Sequence, residues 1–191
     1  MSKAGSPLPR VLIDACVLYP TVLREIVLGV AGEGLFAPLW SARILAEWKH
    51  AAARGGPGDA AIAEGEIALA RVAWPEAETA ADPALEATLD LPDAADKHVL
   101  AAAISGRADL ILTQNLRDFP RRALAHHGLR AEAPDAFLMA LWLEHPDAVA
   151  GVVEAVRLRT ERVSGRAQPV RALLKRARLP RLGKALAAED G

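Results

Sequence analysis

The sequence predicts an α/β fold, with a short parallel sheet between helices and a helical extension at the C-terminus. Three short apolar runs, Arg10–Ala15, Leu35–Leu39 and Leu110–Thr113, alternate with stretches of helical periodicity. Strands separated by helices with short connections imply parallel pairing and right-handed crossovers. The composition agrees: 52% of residues are hydrophobic, 4% are aromatic and roughly a fifth are alanine, which suits small-residue helices and disfavours an aromatic-rich β-sandwich. A chain of 191 residues has room for one core, or for a domain with a small appendage.

Each element has a local reason. Arg10–Ala15 (RVLIDA) is an apolar run closed by an acid, the pattern of a buried parallel strand with a functional side chain at its carboxyl end. Asp14 therefore sits where open α/β sheets place their chemistry. Thr21 can cap a helix through Val30, because Leu23, Ile26, Val27 and Val30 recur at helical spacing before Gly32 and Gly34. Leu35–Leu39 is short enough to be a second strand. Ser41 starts the helix SARILAEWKHAAA, which presents Ile44, Leu45 and Trp48 on one face and also carries Glu47. After the GGPG break at 55–58, Ala60–Ala73 reads as an amphipathic helix. Asp82-Pro83 and Leu91-Pro92 punctuate the next stretch. Asp93 is a candidate N-cap for a helix through Ile104, with Asp96 in a first turn that the helix dipole favours for acids. Leu110–Thr113 is the third strand and runs into the polar Gln114-Asn115. From Pro134 onward only helical patterns occur, broken at Pro146, Pro169 and Pro180. This divides the chain into a domain over residues 8–145 and a basic helical extension over 146–191.

The net charge of -1 conceals that division. Through Ala150 there are 13 basic and 20 acidic residues, and after it 10 basic and 4 acidic. A basic segment without aromatic residues suits phosphate contacts better than base stacking, and it equally suits a solvated helix face or an acidic protein partner. The single cysteine, Cys16, excludes an internal disulfide and a cysteine-based zinc cluster. No apolar run approaches the ~18 residues of a membrane span, and MSKAGSPLPR lacks the apolar stretch of a signal peptide. The expected setting is the cytoplasm, away from membranes. Walker, GxGxxG and GxSxG motifs are absent from the sequence. The five histidines, His50, His98, His126, His127 and His145, show no zinc spacing; surface or capping roles are expected, with His98 facing away from Asp96. The tryptophans are expected to anchor the core or an interface.

Four acids fall at the ends of elements that a parallel sheet brings together: Asp14, Glu47, Asp96 and Asp118. Mg²⁺ and Mn²⁺ want oxygen ligands, and two or three carboxylates with water suffice for Mg²⁺. Such a metal lowers the pKa of bound water and clamps phosphate oxygens, so phosphodiester hydrolysis is the natural chemistry. Structural roles compete at each position. Asp93 and Asp96 can cap a helix, and Glu47 can be a solvated residue paired with Arg43 at i,i+4. Asp14 has the weakest structural alternative, because an acid closing a buried strand is costly unless paired or metal-bound.

RVLIDACVLYP, WSARILAEW and LPDAADKHVLAAAISGRADLILTQNLRDFP together resemble the PIN-domain family, metal-dependent ribonucleases that include the VapC toxins of bacterial toxin–antitoxin pairs. The resemblance runs from about Val11 to Leu141 and is most specific from Asp93 to Pro120. It implies a three-layer α/β/α fold with a short central parallel sheet. It also implies an endoribonuclease using Mg²⁺ or Mn²⁺ to leave a 5′-phosphate and a 3′-hydroxyl, with Asp14, Glu47 and Asp96 as the first three acids of the metal and catalytic set. Many family members carry an acid where this chain has Asn115, so Asp118 is the substitute fourth acid, and Thr113, Asn115 and Asp93 support the set. A cognate antitoxin and a homodimer are the implied partners besides RNA. A module that binds RNA or protein with a weak or decayed site is the alternative. An aspartyl-phosphate phosphatase also begins with an acid-ended strand, but it wants a second Asp where Cys16 stands.

Overall fold

The computed structural model describes residues 7–189. At its centre lies a four-stranded, wholly parallel sheet in the order β2-β1-β3-β4. The strands are short: β1 Arg10–Ile13, β2 Ala37–Leu39, β3 Leu110–Leu112 and β4 Arg130–Glu132. Helices cover it: α1 Ala15–Leu18, α2 Thr21–Gly32, α3 Ala42–Ala53, α4 Pro57–Ala73, α5 Pro83–Thr88, α6 Lys97–Ser105, α7 Arg121–Ala125 and α8 Pro134–Glu144. Three more, α9 Pro146–Ser164, α10 Val170–Arg176 and α11 Pro180–Glu189, form the C-terminal extension. No described helix is long and apolar enough to cross a membrane.

Val11, Leu12, Ile13, Leu110, Ile111 and Leu112 are buried to within 1% because β1 and β3 occupy the middle of the sheet with helices on both faces. Their register, Val11 to Leu110 and Ile13 to Leu112, brings the ends of the two strands side by side. The chain leaves β1 toward β2 on one side, while β3 and β4 lie on the other, so the strand order reverses between β1 and β3. A crevice beyond the carboxyl ends opens at such a point. Asp14 and Thr113, each the residue after its strand, share that crevice.

The fourth strand departs from the three-strand expectation. Arg-Ala-Glu at 130–132 is too short and polar to announce itself, and it forms because Leu110, Ile111 and Leu112 offer an unpaired edge to Arg130, Ala131 and Glu132. The helix expected from Asp93 is divided as well. Asp93 accepts from the backbone N–H of Ala95 at 2.8 Å and starts a 3₁₀ turn over Ala94–Asp96, and α6 begins only at Lys97. Asp96 therefore caps nothing with its side chain. Similarly, α4 starts at Pro57, which suits the first helical position, ahead of the expected Ala60.

The extension packs on the body along α2. Val149, Val152, Val153 and Val156 of α9 are buried, and Gly29 of α2 permits the approach, since a β-carbon there would stand 2.6 Å from Val152 Cγ1. Asp135 on α8 accepts from the backbone N–H groups of Arg181 and Leu182 at 3.0 and 3.1 Å, capping the N-terminus of α11. Arg159 pairs with Glu25 of α2 at 3.2 Å.

Candidate metal centre and its cleft

Asp14 is 8% exposed and its backbone N–H donates to the carbonyl of Leu112 at 3.1 Å, which locks the end of β1 to β3. Two side chains then hold one carboxylate oxygen. Thr113, fully buried, donates its hydroxyl to Asp14 Oδ2 at 2.7 Å, and the Cys16 thiol donates to the same oxygen at 3.1 Å. The backbone N–H of Asn115 donates to Thr113 Oγ1 at 3.0 Å, and that of Gln114 to Cys16 Sγ at 3.2 Å. The polar turn after β3 is thus tied to the acid that ends β1. Burial and the neighbouring Asp14 charge push the Cys16 thiol up to about 12, so it serves as a protonated donor and not as a nucleophile.

Asp96, at the junction of the 3₁₀ turn and α6, faces no counter-charge large enough to offset the groups that disfavour its ionised form. Burial, then the charges of Asp14, Asp93 and Asp118, raise its carboxyl to about 6, with His98 opposing. The structure therefore places Asp14, Asp93 and Asp118 within electrostatic reach of Asp96. Asp93 remains occupied with its cap, as the structural alternative anticipated. Asp118, 13% exposed at its side chain, accepts from the Asn115 amide and stands 3.7 Å from Arg117 Nε.

Glu47 approaches from α3, whose start is fixed by Ser41 accepting from the Ile44 N–H at 3.2 Å. One of its oxygens lies 3.6 Å from Arg43 Nε, the expected i,i+4 pair, and 2.9 Å from His98 Nε2. His98 corrects the surface or capping expectation, being 1% exposed and directed at Glu47. Its signal was the uninterrupted apolar run from Val99 to Ile104, because a helix without a polar face has no solvent side for position 98.

Among the described residues, no three His, Cys, Asp or Glu side chains converge closely enough to hold one ion together. The donor chemistry nevertheless fits a hard divalent cation. Asp14 and Asp96 supply carboxylate oxygen, the one nearby thiol, Cys16, is engaged as a donor to Asp14 Oδ2, and Mg²⁺ is commonly held by one or two carboxylates with water completing the shell. Asn115 can offer a neutral oxygen at most.

Beside the acids lies a cleft of about 420 Å³ lined by Ala15, Cys16, Tyr19, Glu47, Arg54, Gln114 and Arg178 among others. Arg178 belongs to the turn between α10 and α11, and its presence here was beyond sequence reasoning.

Compared with known proteins, the PIN domain family matches residues 10–117. A curated protein of Mycobacterium tuberculosis (strain ATCC 25618 / H37Rv) named "Putative ribonuclease VapC50" is 50% identical over 44 residues, 23% of this chain and 26% of that protein. The match thus spans about a quarter of that relative's length. No solved structure matches the chain.

Proposed function

The chain belongs to the PIN-domain family, whose match covers more than half of it, and on that premise we propose that it is a divalent-metal-dependent endoribonuclease, the toxin of a toxin–antitoxin pair. The observation that supports this most is the shared placement of Asp14 and Asp96: one acid held by Thr113 and Cys16, the other burdened by its acidic neighbours. Asp14 and Asp96 would hold Mg²⁺ or Mn²⁺, with Glu47 and Asp118 completing or orienting the shell and Asn115 assisting. Such an ion, when bound, supplies Lewis-acid stabilisation of phosphate charge and a more acidic water.

The chain's own residues have separate tasks in this reading. Thr113 and Cys16 both bind Oδ2 of Asp14, which fixes the carboxylate plane and leaves Oδ1 free of side-chain donors. The buried His98 and the exposed Arg43 restrain Glu47 at the rim of the cleft. Asn115 orients Asp118 from the same turn that holds Thr113. No covalent intermediate on the protein is required, and RNA is cut to a 5′-phosphate and a 3′-hydroxyl. Residues 8–145 form the nuclease domain and 146–191 the extension. An antitoxin, RNA and a second copy are the partners, in the cytoplasm.

Purified protein should cleave a structured RNA such as tRNA or ribosomal RNA when Mg²⁺ or Mn²⁺ is present, and Asp14→Asn should abolish this. Metal-independent cleavage, or an Asp14→Asn variant as active as the parent, would refute the reading. The neutral amide of Asn115, where many family members carry an acid, favours one second reading, a PIN-like module that binds RNA or protein without cutting it. RNA binding that persists with no cleavage at any Mg²⁺ or Mn²⁺ concentration would select it.

A further inference from the structure

The cleft beside the acids carries two arginines that the proposed chemistry has not used. Arg54 follows the last turn of α3, and Arg178 sits between α10 and α11, far outside residues 10–117. Both are exposed, both line the same cleft as Glu47 and Cys16, and neither forms an ion pair among the described residues. The cleft carries one acid, Glu47, against these two guanidinium groups, so its lining has more cationic than anionic side chains. Glu47, on the same cleft, instead pairs with Arg43.

Arg178 is also placed deliberately. Its backbone has φ of 61°, the left-handed region that a non-glycine residue occupies only at a steric cost. The conformation is imposed by its surroundings: Leu179, fully buried, donates its N–H to the Leu174 carbonyl at 2.8 Å, and Arg178 donates its own to Lys175 at 3.2 Å. The side chain then crosses from the extension to the body, where Nη1 donates to Gln114 Oε1 at 2.7 Å. Gln114 lies between Thr113 and Asn115 and is itself tied to Cys16 through its backbone N–H. The guanidinium is thereby oriented by the turn that holds Asp14, and most of its five donors are left for a ligand.

We infer that Arg178, with Arg54, forms a phosphate-binding subsite for the RNA backbone beside the metal centre, so that the C-terminal extension supplies part of the substrate groove. The inference depends on the nuclease reading for its substrate. Planar guanidinium groups bind phosphate oxygens bidentately, and they offset the repulsion that the acid set exerts on RNA. The contribution of the extension would be to the backbone and not to the bases, in keeping with its having no aromatic residue after Gly151.

The test uses the full chain carrying Asp14→Asn, so that RNA binding is measured without cleavage. Arg178→Gly removes the guanidinium while suiting the left-handed backbone, so folding is not compromised. It should weaken binding of a single-stranded RNA about tenfold and reduce the salt slope by about 0.7, the value of one lost phosphate contact. Arg178→Lys should keep the slope and recover only part of the affinity. Arg171→Ala, an exposed cation of the extension outside the cleft, should change neither. In the cleavage-competent protein, Arg178→Gly should raise KM more than it lowers kcat. Unchanged affinity and slope in Arg178→Gly, with the parent still cutting RNA, would overturn this inference alone. Absence of RNA binding by the parent would overturn it together with the nuclease reading.

Discussion

Asp96→Asn should stabilise the metal-free protein while destroying its activity, because the residue is strained electrostatically for function. Its carboxyl is raised from 3.8 to about 6 by burial and by Asp14, Asp93 and Asp118. Two units correspond to about 3 kcal/mol at full weight, and the partial solvation of Asp96 reduces this to about 1 kcal/mol. The raised value means that the folded state keeps a proton between pH 4 and 6 after the unfolded chain has released it. Stability of the parent therefore falls as pH rises through that interval and the penalty is complete above about pH 6. Asparagine preserves the shape and removes the charge. In EDTA at pH 7 the variant should melt about 2–4 °C above the parent, and the advantage should vanish near pH 4. Thermal melting across that range, with RNA cleavage assayed on the same samples, measures both halves. A variant no more stable than the parent at pH 7, or one that retains full cleavage, would refute the electrostatic reasoning.

Three further outcomes are expected. Thr113→Val removes the buried hydroxyl that donates to Asp14 Oδ2 and accepts from the Asn115 N–H, leaving Oδ2 only the Cys16 thiol, and should cost about 1–3 kcal/mol in urea unfolding, with cleavage falling more than stability explains. Cys16→Ser should remain active, and the parent thiol should react with iodoacetamide far more slowly at pH 8 than a free thiol, since it is pushed up to about 12. Gly29→Leu should wedge α9 away from α2, where a β-carbon already meets Val152 at 2.6 Å, and lower stability by about 1–3 kcal/mol in chemical denaturation.

Much of the frame was legible because it depends on local pattern. RVLID announces a buried strand closed by an acid, and Leu110–Leu112 announces its neighbour, so the placement of Asp14 and Thr113 at one sheet end follows from strand order alone. β4 was not legible, since its pairing is created by the exposed edge of β3 and not by apolar residues of its own. The division of the Asp93 helix escaped for a related reason. Asp93 and Asp96 both look like helix-start residues, and only the backbone decides that one caps a 3₁₀ turn while the other faces the acids. His98 could have been recognised from the apolar run that follows it. Arg178 could not, because its approach to Gln114 spans 64 positions and depends on how α9, α10 and α11 fold back over the body.

The central claim is that Asp14 and Asp96 together bind a divalent cation. Calorimetric titration of the parent, Asp14→Asn and Asp96→Asn with Mn²⁺ tests it without reference to activity. The account predicts saturable binding by the parent that weakens at least about tenfold in each variant, in keeping with the loss of one charged oxygen ligand. Equal Mn²⁺ affinity in all three proteins, or no binding by the parent, would contradict it.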